Sequence, residues 1–575
     1  MSTPATDIDA PVYSDWAWSD DTVAAGQSGA RAAALAALST MQSEPTSLVS
    51  YQSRGCVLVI GPLDAAWSAA LQLPASMRRV VLAEPGEEPL PDGARESEDP
   101  VLVRAPLAGL RGHLGEFIAE AKGAGGETID LAALYVSPKP RFDLVLDLGR
   151  TPALAQVRPP LGYFRVGRDT DALRSALAEI PDLVGEFEKP RFFNYDPAIC
   201  AHGRSGLRGC TRCLDACSTG AIRSLGDLIE VDPYLCQGDG GCTTVCPSGA
   251  ISYAYPPPRD LLQALKAMLV AYREAGGQAP RVLLHDAEGG HDLLRAHAAQ
   301  LPGDVLPLQV EEITAAGLDV WLSAMAYGAD RVGLLLGTAR ADHEASTLAL
   351  QLRIAESLMT GMGHAPGRIG TVDAASLADW CTPEPAQVGH APPAGFDTHN
   401  DKRATLRLAL AHLHRTAPAP QAAVALPAGA PFGEVRVDTA ACTLCMGCVS
   451  VCPSHALTDG GETPRLDFTE DLCLQCGLCE RACPEQAITL APRFVYDFEV
   501  RRQPRVLNEE EPFCCVACGE PFATPSVMEK MAQRLQGHPL WADEATRARM
   551  QMCGDCRVKD MMRADIAKFR DTGTT

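Results

Sequence analysis

The sequence has little of what would carry it through a membrane, onto nucleic acid or around a nucleotide. No apolar run approaches the roughly 18 residues needed to span a bilayer, each being broken by Arg, Asp or Gly within about ten. Lys and Arg number 50 against 72 Asp and Glu, a net charge of −22, which repels phosphate backbones and anionic lipid and leaves a protein with a basic docking face as the expected partner. Neither G-x-G-x-x-G nor G-x-x-x-x-G-K-[ST] occurs, and Val57-Leu-Val-Ile-Gly-Pro62 reads as a strand and a turn with no phosphate cradle. The C-x3-C-x2-C spacing of radical chemistry is also missing. The opening stretch from Met1 to Asp21 is acidic and polar, with no basic region followed by an apolar one, so a cytoplasmic place is expected.

Cysteine is abundant instead, with 22 in 575 residues. In a reducing compartment such thiols serve metals and do not pair as disulfides. One phrase recurs in four places: a cysteine, a Pro or Ser, two further residues, then Ala and an aliphatic. The copies run from Cys217 to Ile222, Cys246 to Ile251, Cys452 to Leu457 and Cys483 to Ile488. Each closes a group of closely spaced cysteines, as the tail of a bacterial ferredoxin half-site does.

The second group is regular. Residues 442–453 and 473–484 each read C-x2-C-x2-C-x3-C-P. Three thiolates at that spacing wrap one iron-sulfur cubane while the fourth reaches across to its companion. The crossing assigns Cys442, Cys445, Cys448 and Cys483 to one cluster, and Cys473, Cys476, Cys479 and Cys452 to the other. Zinc sites use paired C-x2-C knuckles and not this triple spacing.

The first group departs from the pattern twice. Between Cys200 and Cys210 lies the loop Ala-His-Gly-Arg-Ser-Gly-Leu-Arg-Gly where two residues are usual. Such a loop still closes on a cluster, because closure entropy grows slowly with length. It brings Arg204 and Arg208 toward the cluster, with Arg212 inside the motif and His202 as a hydrogen-bonding loop residue. One cluster is expected on Cys200, Cys210, Cys213 and Cys246. In the second half-site Asp239 stands in register where a thiolate is expected, between Cys236 and Cys242. The cluster on Cys236, Cys242 and Cys217 is then either a four-iron cluster with Asp239 or water at one corner, or a three-iron cluster. The in-register oxygen donor favours the four-iron form, although a carboxylate binds that corner less firmly than a thiolate. Four iron-sulfur clusters are expected in all.

Near the C-terminus, Cys515 with Cys518 and Cys553 with Cys556 form two knuckles that match a tetrahedral four-cysteine zinc site. A helix near Val527 to Gln536 must fill the long interval, and a further cluster using Cys514 is the rival. Cys56 and Cys381 stand alone.

Between these groups, short aliphatic strands alternate with amphipathic stretches, which implies parallel sheets. The fold class expected is α/β and α+β multidomain: two small α/β domains, two bacterial-type two-cluster ferredoxin modules, and a four-cysteine knuckle region with helices. The layout is a flexible or helical segment (1–50), an α/β domain without a nucleotide motif (51–187), the altered ferredoxin module (188–258), a second α/β domain (259–380), Pro/Ala-rich linkers flanking one helix (381–431), the regular module (432–496) and the zinc-like tail (497–575). Within the first α/β domain helices are expected at 65–73 and 107–121.

From Leu183-Val-Gly-Glu-Phe-Glu-Lys-Pro-Arg-Phe-Phe193 into Cys-Ala-His-Gly-Arg-Ser and Gly-Cys-Thr-Arg-Cys, the chain resembles bacterial multi-cluster ferredoxin-type proteins associated with formate dehydrogenase systems. Ala324-Met-Ala-Tyr-Gly-Ala-Asp-Arg-Val-Gly-Leu-Leu-Leu336, within 281–375, resembles the small domain of heterodisulfide-reductase-associated subunits, without that family's cysteines. The first resemblance implies cytoplasmic electron transfer beside a dehydrogenase subunit. An electron-carrier subunit is therefore expected more than a stand-alone enzyme. The alternatives are a non-redox accessory or assembly protein with structural clusters, and an oxidoreductase subunit that binds substrate at the Asp239 cluster.

Overall fold

The computed structural model describes residues 16, 18, 25–39, 46–86, 89, 99–123, 125–287, 289–337, 341–382, 392–397, 401–461, 463–539 and 543–572. Most of the acidic opening stretch and the Pro-rich segment 383–391 lie outside them.

Two parallel sheets organise the α/β parts. The first has strand order Val101–Arg104, Arg78–Ala83, Cys56–Gly61, Leu144–Asp147, Tyr163–Arg165. Val57, Leu58 and Val59 are all fully buried, as a strand covered on both faces requires. Helices Leu63–Gln72 and Thr170–Glu179 pack on one face. The other carries helix Leu131–Tyr135 and a three-stranded antiparallel sheet of Leu107–Arg111, Ile118–Lys122 and Thr128–Asp130. Those strands replace the helix expected over 107–121. The reason is local: Gly112 and Gly115 have φ of 120° and 80°, and a Cβ on Gly112 would stand 2.8 Å from Phe117 Cα. Apolar periodicity alone does not register such breaks.

The second sheet has the order Val305–Gln309, Arg281–His285, Arg331–Leu335, Ile369–Val372, also parallel. Helices Gly289–His297, Leu318–Ala326 and Ala341–Gly361 lie between its strands along the chain. Its core extends well past the sheet. Ala30, Ala34 and Leu38 of helix Ala25–Leu38 join it, as do helix Pro258–Glu274 and Leu406, Ala409, Leu410 and Leu413 of helix Lys402–Arg415. Phe494 and Tyr496 enter from strand Ile488–Val495 and the residue just after it, and the Tyr496 hydroxyl donates to Leu358 O at 2.6 Å.

The two cysteine-bearing blocks share one plan. In the first, strand Phe193–Tyr195 pairs with Ile251–Tyr253 and strand Ile222–Ser224 with Ile229–Val231, both antiparallel. In the second, Gly433–Val437 pairs with Ile488–Val495 and Leu457–Gly460 with Thr463–Phe468. The molecule is thus a mixed α/β multidomain chain with a cysteine cluster near its C-terminus.

Candidate iron-sulfur and four-thiol sites

The fourfold phrase has a structural meaning from its fourth residue onward. Its fourth residue is left-handed in each copy: Gly220, Gly249, His455 and Gln486, with φ of 66°, 80°, 53° and 52°. The Ala that follows is buried in each (Ala221, Ala250, Ala456, Ala487), and the aliphatic opens a strand. The reversal turns the chain back from the cysteine into the antiparallel pair. Within the ligand runs a second correspondence holds. Leu444, Met446, Gln475 and Gly477 are left-handed, as are Gly238 and Gly240 at the matching places around Asp239. A chain that alternates hand in this way curls its thiols and amide N–H groups toward a common centre, the concave arrangement that suits an anionic cluster.

The thiols converge accordingly. Cys442, Cys445, Cys448 and Cys483 line one cavity. Cys452, Cys473, Cys476 and Cys479 line a second, and Cys200, Cys210, Cys213 and Cys246 a third. Each groups three thiols from one half-site with the closing cysteine of the other. Burial pushes the Cys448 thiol up to about 12 and Cys476 up to about 11, and it raises Cys213 and Cys479 further still. Four crowded thiols that resist ionisation by themselves suit a cationic metal core that draws them into the thiolate form. The donor sets fit iron-sulfur clusters.

The long loop of the first block folds as a hairpin, Gly203–Arg204 against Leu207–Arg208, turning at Ser205 and Gly206. Cys210 N donates to Ala201 O at 2.9 Å, which closes the loop and sets Cys210 beside Cys200. His202 is buried, its Nδ1 2.9 Å from Cys210 O and its Nε2 2.7 Å from Ser224 Oγ, so it serves the loop as expected. The Arg212 side chain and the Arg208 carbonyl meet the second block. Arg212 Nη2 donates to Gln475 O at 3.5 Å, Arg481 donates to Arg208 O, and Leu478 Cγ lies 2.7 Å from where a Gly209 Cβ would be. The Cys210 thiol is close enough to act on the charge of Cys476.

Helix Lys402–Arg415 clasps both blocks. Lys402 Nζ donates to Thr243 O and Thr244 O at 2.8 and 2.6 Å. Arg403, half-buried, donates to Pro431 O, Asp471 O and Cys473 O.

At the altered half-site Cys217, Cys236 and Cys242 approach one another, and burial raises Cys236 and Cys242. The C-terminal edges of both parallel sheets send loops there. From the first comes Arg158. From the second come Glu312, Thr314 and, on the first turn of helix Ala341–Gly361, His343. Thr244 Oγ1 donates to Thr314 O at 2.6 Å, and Gly240 abuts Ala315. These are the edges where open α/β sheets ordinarily bind nucleotides. In the first sheet Leu148 lies on Gly61, with Leu148 Cβ 2.8 Å from a Cβ position there, so the two central strands meet without a crevice. The Asp239 carboxylate does not stand alone: Arg158 Nη1 donates to it at 2.9 Å. No motif in the sequence marks Arg158, Glu312 or His343. The signal that existed was Ser218, present where the other copies have Pro.

The tail brings Cys515, Cys518, Cys553 and Cys556 together, their sulfurs all within 4.8 Å of one another. Cys518 and Cys553 sulfurs are 3.8 Å apart, far beyond a disulfide bond. Although desolvation acts the other way, backbone N–H groups of Cys553, Ala517 and Cys518 bring the Cys515 thiol down to about 6. Helices Pro525–Leu535 and Glu544–Met550 fill the interval. Cys514 is exposed and outside the group. Four thiols at this spacing fit a tetrahedral metal ion. Cys56 and Cys381 are single buried thiols, pushed up by burial to about 12 and about 11.

Residues 441–487 match the family model of the 4Fe-4S dicluster domain. Over 51 residues the chain is 41% identical to the pyruvate synthase subunit PorD of Thermotoga maritima, a stretch that is 9% of this chain and 50% of that protein. The chain spans half the length of the curated relative it matches. The second block is a ferredoxin-type 4Fe-4S domain. Among the described residues no helix is long and apolar enough to cross a membrane.

Proposed function

We propose that this protein is an iron-sulfur electron-transfer subunit that relays single electrons through four clusters. The observation that carries this reading is the contact between the two blocks. The Arg481 bond to Arg208 O and the Arg212 bond to Gln475 O join the two blocks on the side of Cys210 and Cys476, which supports reading the four sites as one row. In order they are the Cys217/Cys236/Cys242 site, the Cys200 site, the Cys473 site and the Cys442 site. A non-redox scaffold would have no need of this continuity.

In this reading residues 188–258 and 432–496 are two-cluster ferredoxin modules, 51–187 and 259–380 are the α/β domains that grip the altered half-site, and 497–575 is a zinc-binding tail. The tail lies against the other end of the row, where Thr524 Oγ1 donates to Thr443 O at 3.0 Å and Lys530 pairs with Glu485 at 2.9 Å. The redox partner is a cytoplasmic dehydrogenase subunit with a basic face, with formate dehydrogenase the first to try. The ferredoxin-type domain and the likeness to a pyruvate synthase subunit support the electron-transfer class.

Anaerobic iron, sulfide and zinc analysis with EPR of the reduced protein tests it. About 15 to 16 irons and about one zinc per chain are expected; about eight irons would refute the assignment of the first block. Stopped-flow mixing with a reduced dehydrogenase should reduce the clusters on the timescale of turnover, and failure to do so would refute the relay.

A further inference from the structure

The first block departs from the regular pattern at two side chains, Ser218 for Pro and Asp239 for Cys, and the structure joins them. Asp239 Oδ2 accepts a hydrogen bond from Ser218 Oγ and lies 3.7 Å from His343 Nε2. Asp239 Oδ1 accepts from Arg158 Nη1 at 2.9 Å, and the same guanidinium nitrogen donates to Glu312. Arg158 is in turn fixed to the peptide beside Cys217, its backbone N–H donating to Ser218 O at 3.4 Å. Both carboxylate oxygens are therefore engaged, one by a cation and one by a hydroxyl that exists only because Pro is absent from this copy.

We propose that Arg158 and Ser218 hold Asp239 outside the coordination sphere, so that the cluster on Cys217, Cys236 and Cys242 has three protein ligands. The donor chemistry points the same way. Charge-assisted bonds are roughly twice as strong as neutral ones, whereas a carboxylate is a hard donor poorly matched to a sulfide-bridged iron. Register in the sequence put Asp239 at the right place to bind iron; the partners it meets across the fold compete for it. The corner without a protein ligand lies where loops from both parallel sheets meet, and Arg158 and Glu312 belong one to each. The fourth corner thus faces charges supplied by both α/β domains.

This inference rests on the reading of Cys217, Cys236 and Cys242 as a cluster site, and EPR and Mössbauer spectra of the anaerobic protein separate the two. Asp239→Asn should leave the iron count and the signal of this cluster unchanged. Arg158→Gln, which releases the carboxylate, should alter the signal of this cluster and leave the other three as they are. Arg158→Lys, a point charge that cannot reproduce the guanidinium's hold on two carboxylates, is the second variant should the glutamine chain fail to fold. Loss of about one iron in Asp239→Asn would overturn the proposal, as would an unchanged signal in the Arg158 variants. A wild-type count of about 12 irons would remove the cluster itself and overturn the reading beneath.

Discussion

Gly240 and Gly206 form a matched pair, with φ of 75° and 76°. They differ in surroundings. A Cβ on Gly240 would lie 2.6 Å from Ala315 Cα and 2.9 Å from Ala315 N, whereas nothing lies within 4 Å of one on Gly206. Replacing either by Ala incurs the left-handed cost, about 1–2 kcal/mol. Only Gly240→Ala also pushes the altered half-site away from the turn at Ile313–Ala315, an overpacking cost of about 1–3 kcal/mol that a backbone neighbour cannot relieve by rotating. The totals are then about 2–5 kcal/mol for Gly240→Ala and about 1–2 kcal/mol for Gly206→Ala. Their difference, about 1–3 kcal/mol, is a factor of about 5 to 150 in the equilibrium that holds the half-site on the second α/β domain. Anaerobic guanidinium titration, followed by the visible absorbance of the clusters, reads it as an earlier loss of colour in Gly240→Ala. Equal midpoints for the two variants would refute the packing of this half-site on Ala315, and with it the gathering of both sheets' loops at Asp239.

Three further outcomes are expected. Arg403→Ala removes the donor to Pro431 O, Asp471 O and Cys473 O and should cost about 3 kcal/mol, read as faster bleaching of the second block in denaturant; bleaching at the wild-type rate would show that the helix is not a strut. Arg212→Ala combined with Arg481→Ala should weaken the magnetic interaction between the two blocks in EPR of the fully reduced protein while keeping the iron count; an undiminished interaction would refute the row of clusters. In metal-free protein the Cys515 thiol is lowered from 9.0 to about 6, so its contribution to the tail's stability is present in full above about pH 9 and is lost as pH falls through 6. Ultraviolet thiolate titration and acid unfolding of the tail should both show this step in the metal-free wild-type chain, and both should lose it in metal-free Cys515→Ser. An acid profile unaltered by that substitution would be inconsistent with the lowered thiol.

Much of the site was legible because ligand spacing is a local property. C-x2-C-x2-C puts three thiols within reach of one centre whatever the rest of the chain does, and the four phrases located every group of cysteines that line the three cavities. The central strands of both parallel sheets were legible for a similar reason, since a strand buried on both faces is a short continuous apolar run, whereas the half-exposed edge strand Tyr163–Arg165 carries no such run. The segment 107–121 was not, because its leucines and alanines keep helical spacing while Gly112 and Gly115 take backbone angles that no helix has. The roles of Arg208 and Arg212 were half legible: they stand near a cluster, but their polar contacts run to the other block. The helix at 402–415 reads as part of a spacer from the prolines on either side; what makes it a clasp is Lys402 and Arg403 meeting carbonyls of both blocks.

Order along the chain was thus sufficient to say how many thiol groups there are, which half-sites are regular and which one carries Asp239, because each of those facts depends on neighbours a few residues away. It could not say what Asp239 does. That depends on Arg158, 81 residues distant, and on Glu312, 154 residues from Arg158 on the far side of the block. Only the packing of two parallel sheets against one half-site brings those charges together, and the sharing of one guanidinium between two carboxylates is a tertiary fact with no counterpart in the spacing of cysteines.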